Sequence, residues 1–400
     1  MLKKRWIPIF IAKMEGDRLL NVADQRWSKE KLREIRQYTS FKCPICFEEV
    51  DLKVGSQITP HFAHQRRNNC DIEVEPESEY HLNGKLQLYN WLQGNKIITD
   101  VQLEMYLQQI KQRPDLLFTY ENNKIALEYQ CSTIGLHLFS KRTKQLKSLV
   151  NDVKWVIGAK EIKRLSKNTF RVSPFQWLFI HTANSPKIYS YCANMKAFII
   201  LHHIIPFSAQ IVFSQSKTYY INNIQYNELV SDSVSYDEVI KEWFRKVHRF
   251  RMKPLGFMSK EISFLSEYLY EKKQLSLTMA PSYAFIPLKK AYLIKSSCYH
   301  WQTWILLYLD SIPLRMSFSL HEICYFMRNK VVRRETVIGQ EHISLVIHEY
   351  LKVLSALSLL NNKGKFQFEK IKQINWTKNL YELIDIDRHL KNKLLLLYRT

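Results

Sequence analysis

Apolar and polar positions change rhythm several times along the chain, and each change marks an element. From Pro76 through Trp91 the residues Leu82, Leu86 and Tyr89 fall on one helical face, with Pro76 suited to the first turn and Gly94 to the end. Three strand-like runs follow, Val101 to Leu107, Asp115 to Tyr120 and Lys124 to Cys131, the last two separated by Glu121-Asn122-Asn123, which is turn chemistry. A helical stretch from Leu136 to Val150 then leads into the short apolar strand Val153-Lys154-Trp155-Val156-Ile157-Gly158. The order helix, three strands, helix, strand predicts an α/β sandwich.

On the N-terminal side, residues 1 to about 40 read as a short strand and a polar helix, and Cys43 opens a small unit running to about Cys70. Beyond residue 170, the aromatic-rich runs Phe175 to Ile180, Lys187 to Cys192 and Ile211 to Ile221 predict further strands. From about Tyr236 onward helical spacing dominates, as in Trp301 to Leu309, Ile343 to Leu359 and Leu380 to Leu397. Three regions result: 1–72 with a knuckle-like unit, 73–170 with the α/β core, and 171–400, mixed and then mainly helical.

Composition narrows the function classes. With 46% hydrophobic residues over 400 positions the chain buries a substantial core and is not disordered. Its 59 Lys and Arg against 37 Asp and Glu leave +22, which favours a polyanionic partner through counterion release. Seven cysteines, an odd and scattered set, form no disulfide framework and fit a reducing, cytoplasmic setting. The apolar starts near Ile7 and Ala197 are interrupted too early for a signal sequence or membrane span, so neither is expected.

The chemistry concentrates around the predicted hairpin. With Asn122-Asn123 as a two-residue loop, Glu121 faces Lys124, Asp115 stands opposite Gln130, and Glu128 is diagonally adjacent. Strand alternation then places Asp115, Glu128 and Gln130 on one face. Two carboxylates so close favour a cation between them, and hard oxygen ligands favour magnesium, which acidifies an attacking water and stabilises phosphate charge. Gln130 would orient that water. The pattern Asp, hairpin, Glu-x-Gln resembles the PD-(D/E)xK nuclease core with Gln in place of its Lys. On the preceding helix Glu77, His81 and Lys85 form a stripe at four-residue spacing, with Glu79 in the same first turn. Nucleases of that type add an acid or a histidine from this helix, which makes Glu79 and His81 the candidates. Lys85, and Arg142 and Lys144 on the following helix, are candidate phosphate contacts.

Cys43-x-x-Cys46 with His61-x-x-His64 has the ligand types and spacing of a structural tetrahedral zinc site, and Cys70 is an alternative to one histidine. Cys131, on the strand face opposite Gln130, is expected to be a buried small hydrophobe.

These stretches together resemble the competence protein CoiA family. They are Cys43-Pro44-Ile45-Cys46, Pro60-His61-Phe62-Ala63-His64, Glu77-Ser78-Glu79-Tyr80-His81 through Lys85, Arg113-Pro114-Asp115, Glu128-Tyr129-Gln130-Cys131-Ser132, Arg142-Thr143 and Trp155-Val156-Ile157-Gly158. The resemblance implies a restriction-endonuclease-like αβββαβ domain and a role in processing or recombining incoming DNA during natural transformation, with single strands as the favoured substrate and recombination proteins as further partners. Gln130 keeps an alternative open: a DNA-binding or recombination accessory protein whose nuclease fold is weak or inactive.

Overall fold

The computed structural model describes residues 8–64, 70, 77–182, 185–231, 234–253, 256, 258–334 and 342–399. The N-terminal part contributes β1 (Pro8–Ile9), β2 (Ile11–Lys13), β3 (Leu19–Asn21), α1 (Lys29–Tyr38), β4 (Val50–Lys53) and β5 (His61–His64). Then come α2 (Glu79–Gln93), β6 (Ile98–Leu103), β7 (Leu116–Tyr120), β8 (Asn123–Gln130), α3 (Leu136–Lys147) and β9 (Asp152–Gly158). Five strands follow, β10 (Lys163–Ser166), β11 (Thr169–Arg171), β12 (Ile180–His181), β13 (Lys187–Cys192) and β14 (Ala197–Pro206), and then β15 (Ile211–Tyr220) and the short helix α4 (Tyr226–Val230). The remainder holds α5 (Asp237–Arg251), α6 (Lys260–Lys273), α7 (Cys298–Ser311), β16 (Ser317–Ser319), α8 (Leu320–Met327), α9 (Ser344–Ala356), β17 (Leu360–Gly364), β18 (Gln367–Lys370) and α10 (Leu380–Leu397). None of the described helices is long and apolar enough to cross a membrane.

The chain divides into two compact units, 1–161 with 189–199 and 218–231, and 162–188 with 200–217 and 232–400. In the first, β5 pairs antiparallel with β1 and β4, and a mixed sheet runs in the order β6-β7-β8-β9-β13. Its β6, β7 and β8 are antiparallel, whereas β8-β9 and β9-β13 are parallel because α3 crosses over between β8 and β9. Ser78 caps α2 by accepting the His81 amide, and Leu82, Leu88 and Leu92 are buried. Gly84 lets α2 sit tightly on β8, since a Cβ there would lie 2.2 Å from Tyr129 Cε1. Pro76, expected in the first helical turn, lies outside the described residues.

Three details depart from the sequence reading. The β7-β8 loop is Glu121-Asn122, both at positive φ, so Tyr120 pairs with Asn123 and Leu116 with Leu127. The register is therefore two residues from the expected one, and a two-residue slip leaves every side chain on its face. Extended by one step, it puts Asp115 opposite Glu128 and not Gln130. The run Phe175 to Ile180 is mostly a short 3-10 helix over 176–179, because Ser173 and Gln176 bond reciprocally and Pro174 presets the turn. β6 ends at Leu103, where Glu104 takes a positive φ.

The second unit has β10-β11-β15-β14 in order, and its C-terminal part is mainly helical, as read. Trp243, Phe285, Trp301 and Tyr350 are buried there, and the Trp243 indole donates to the Phe285 carbonyl at 2.7 Å. A three-stranded antiparallel sheet, β16-β18-β17, interrupts the helices. Strands of three to five residues are too short to show a period among helical neighbours.

Candidate active site

The first turns of α2, the entry to β7 and the end of β8 converge on one buried cluster. Asp115 is fixed before β7 by accepting the Tyr129 amide at 2.8 Å from Oδ2, and its own carbonyl accepts the Glu104 amide. Lys85, one turn below His81 on α2, is 1% exposed. Its ammonium lies 2.8 Å from Glu77 Oε1, 2.8 Å from Glu104 Oε1 and 3.2 Å from Asp115 Oδ1. Lysine has three donors, and three carboxylates surround it. His81 Nε2 stands 3.6 Å from Asp115 Oδ2, beyond a hydrogen bond, and Nδ1 4.0 Å from Glu77 Oε2.

The electrostatics follow from this lacing. Burial disfavours the Lys85 charge, but Asp115, Glu104 and Glu77 outweigh it and hold its pKa above the usual value. Burial also pushes Asp115 up, and Lys85 with His81 more than reverses it, so the carboxyl stays ionised far below the ordinary range. For His81, burial works against protonation while Glu77 and Asp115 favour it, with a net rise. Glu128 is the opposite case. Its burial dominates the pull of Arg142, whose Nη2 is 2.8 Å from Oε2, and Asp115 adds repulsion, so its pKa is pushed up to about 7.

Buried polar atoms without a hydrogen-bond partner mark where a ligand belongs. Among the described residues, Glu77 Oε2, His81 Nε2 and Glu128 Oε1 are such atoms. Glu77, His81 and Asp115 each offer a donor atom within 4.8 Å of the others, a spacing that could hold a metal ion. Glu77, Glu104, Asp115 and Glu128 face the cations Lys85, Arg113 and Arg142, and His81, whose pKa is raised, brings the charges close to balance.

A second cluster lies before this domain. The Cys43-to-Cys46 turn is closed by the Cys43 amide donating to the Glu48 carbonyl and the Phe47 amide to Cys43, with Phe47 at positive φ. Cys43, Cys46, His64 and Cys70 bring four ligand atoms within 4.8 Å of one another, and His64 Nε2 is 3.4 Å from Cys46 Sγ. The Cys70 contact leads the causes that lower the Cys43 thiol to about 3.

The structure therefore redistributes the residues singled out from sequence. His81, Asp115 and Glu128 share the cluster. Glu79 does not; its Oε1 accepts the Thr59 amide at 2.7 Å and hydroxyl at 2.5 Å, and Glu77 stands at the site instead. Gln130 lies on the same strand face as Glu128, with Nε2 donating to the Ser132 carbonyl and hydroxyl at 3.0 Å. Burial removes Lys85 from the expected role of phosphate contact. Arg142 is held by Glu128, and Lys144 is exposed on α3. His61 Nδ1 sits 2.8 Å from the Thr59 carbonyl, outside the four-ligand cluster, where Cys70 takes the fourth place. Sequence reasoning missed Glu104 and Arg113, and the available signal was a lone acid inside the apolar run 101–107.

Comparison with known proteins defines the class first. Residues 77–234 match the family model described as competence protein CoiA, nuclease-like domain, while 24–73 and 239–384 match the N-terminal and C-terminal domains of the same protein family. The competence protein CoiA of Bacillus subtilis (strain 168) is 32% identical over 353 residues, covering 87% of this chain and 94% of that protein. The chain belongs to the competence protein CoiA family. No solved structure matches it.

Proposed function

We propose that the first unit is a metal-dependent nuclease of the PD-(D/E)xK, restriction-endonuclease-like type, acting on DNA. The observation that carries this reading is the meeting of Glu77, His81 and Asp115 within 4.8 Å beside a buried lysine, on the element order α2-β6-β7-β8-α3-β9. The donor set fits a hard divalent cation, magnesium or manganese, because two carboxylates and an imidazole meet there and, among the described residues, buried atoms of Glu77, His81 and Glu128 are otherwise unsatisfied. When bound, such a cation supplies Lewis-acid stabilisation of phosphate charge and a more acidic water.

The chain's own residues divide the remaining work. Asp115, Glu77 and His81 would hold the cation, with Glu128 beside Asp115 on the neighbouring strand. Lys85, 3.2 Å from Asp115, keeps that carboxylate ionised from its buried place on α2. Glu128, with a pKa near 7, is poised to accept a proton near neutrality. Gln130 orients water, and Lys144 with the exposed edge of Arg142 meets phosphate. The cluster of Cys43, Cys46, His64 and Cys70 would serve as a structural zinc site, since three cysteines and one histidine supply the four ligands that such a site takes. Family membership supports a place for this chemistry in processing incoming DNA during transformation, in the cytoplasm.

The test is incubation of labelled single- and double-stranded DNA with magnesium, manganese or EDTA, beside folded Asp115→Ala and Glu77→Ala proteins. Metal-dependent cleavage reduced about a hundredfold or more in both variants supports the nuclease. DNA binding without cleavage in any metal leaves the alternative, an accessory DNA-binding protein.

A further inference from the structure

The second unit contains an arrangement with no part in the chemistry above. From Cys298 to Lys370 the order is α7, β16, α8, α9, β17, β18, with the sheet in the order β16-β18-β17 and both pairings antiparallel. α8 packs on α7 and α9, and α9 packs on β17. Helix, strand, two helices, then a two-stranded hairpin is the order of a winged helix-turn-helix, in which the second helix of the pair enters a major groove and the hairpin lies on the flanking backbone. Topology alone does not assign function, so the surface must carry the argument.

That surface is cationic and open. On α9, His348 and Lys352 lie on the side that faces the hairpin, and the His348 and Phe366 rings are 5.4 Å apart. The hairpin tip, residues 361–367, is exposed throughout and presents Lys363, Lys365 and the aromatic Phe366. Burial lowers the His348 pKa first and the Lys352 charge next, while the Lys365 backbone opposes them and the Lys290 and Lys365 charges add to the lowering. The only acid of α9, Glu349, is turned inward to accept the Lys289 and Lys290 amides at 2.8 and 2.9 Å. Among the hairpin residues the acid Glu369 is occupied by Lys363 at 3.1 Å. Lys290, Lys352 and Lys365 thus form a cationic patch around α9 and the hairpin, where a phosphate backbone would find charge complementarity.

We infer that α9 and the β17-β18 hairpin form a winged-helix surface that binds duplex DNA, with α9 directed to the major groove and Lys365 and Phe366 on the adjacent backbone. This is a second nucleic-acid surface, independent of the nuclease reading. It is tested in the full-length chain carrying Asp115→Ala, so that cleavage plays no part, by fluorescence anisotropy with a short duplex and a single strand over a salt series. Lys352→Glu with Lys365→Glu should weaken duplex binding by about tenfold or more and make the salt dependence shallower by roughly two phosphate contacts. Lys352→Arg with Lys365→Arg should retain binding, as should the charge-matched control Lys31→Glu with Lys96→Glu. Unchanged duplex affinity and salt slope in a folded Lys352→Glu, Lys365→Glu protein would overturn the proposal and assign the face to a protein partner. An equal loss in the charge-matched control would overturn it as well, since overall charge would then account for binding.

Discussion

The two ligand clusters of the first unit are built from opposite materials. Cys43, Cys46, His64 and Cys70 are soft or borderline donors gathered with no carboxylate among them. Glu77, His81 and Asp115 are hard or borderline donors laced through by Lys85, with Glu104 and Glu128 behind them. A closed set of thiolates gains its stability from the metal and, without one, has little to hold it together. The carboxylate set already carries its own counter-charges, so it persists without metal and keeps donor atoms unspent. The difference predicts that the first cluster needs a metal to hold its fold and that the second stands without one.

The largest expected effect breaks the first cluster. Cys43→Ser with Cys46→Ser should abolish zinc binding, which in small sites couples on the order of 10 kcal/mol to folding, and should unfold the 41–64 region. Atomic emission for zinc and limited proteolysis check this; an intact region with no zinc in the wild type would sink the structural role. Next, Lys85→Met leaves three buried carboxylates without their cation and should cost about 3 kcal/mol or more, read from denaturant unfolding. A neutral outcome would mean that the cluster does not depend on its internal charge.

Glu128 sharpens the comparison through pH. Its folded pKa is raised to about 7, so the stability given by the protonated form is complete below the ordinary carboxylate range and is lost as pH rises through about 7. Relative to wild type, Glu128→Gln should therefore gain on the order of 3 kcal/mol between about pH 4 and pH 8, measured in EDTA. The same slope in both proteins would contradict the assignment. The smallest effect separates the two glutamates of the α2 entry. Glu79→Gln weakens the Thr59 contacts, costing about 1 kcal/mol, and should leave cleavage within a fewfold of wild type, unlike Glu77→Ala.

What the sequence made legible is governed by periodicity. Alternation placed Asp115, Glu128 and Gln130 on one strand face even though the loop was misplaced, because Glu121 adopts a left-handed conformation uncommon for glutamate and the register moved by two. The α2 stripe pointed to His81 and Lys85, but helical spacing could not say that Lys85 would be buried among acids brought by other elements. The same stripe included Glu77, but spacing could not show that Glu79 would turn away to Thr59 and leave Glu77 at the site. Glu104 stood out only as a lone acid in an apolar run, because its partners, Phe10, Lys85 and Arg113, are distant or on other elements. The C-terminal hairpin escaped for want of length.

The decisive measurement is DNA cleavage by one preparation in which magnesium or manganese is titrated while its zinc content is followed, beside Asp115→Ala. The account predicts cleavage that rises with the added cation at constant zinc, and an Asp115→Ala protein that keeps its zinc and does not cut. Cleavage that follows zinc, or an Asp115→Ala protein as active as wild type, would contradict it.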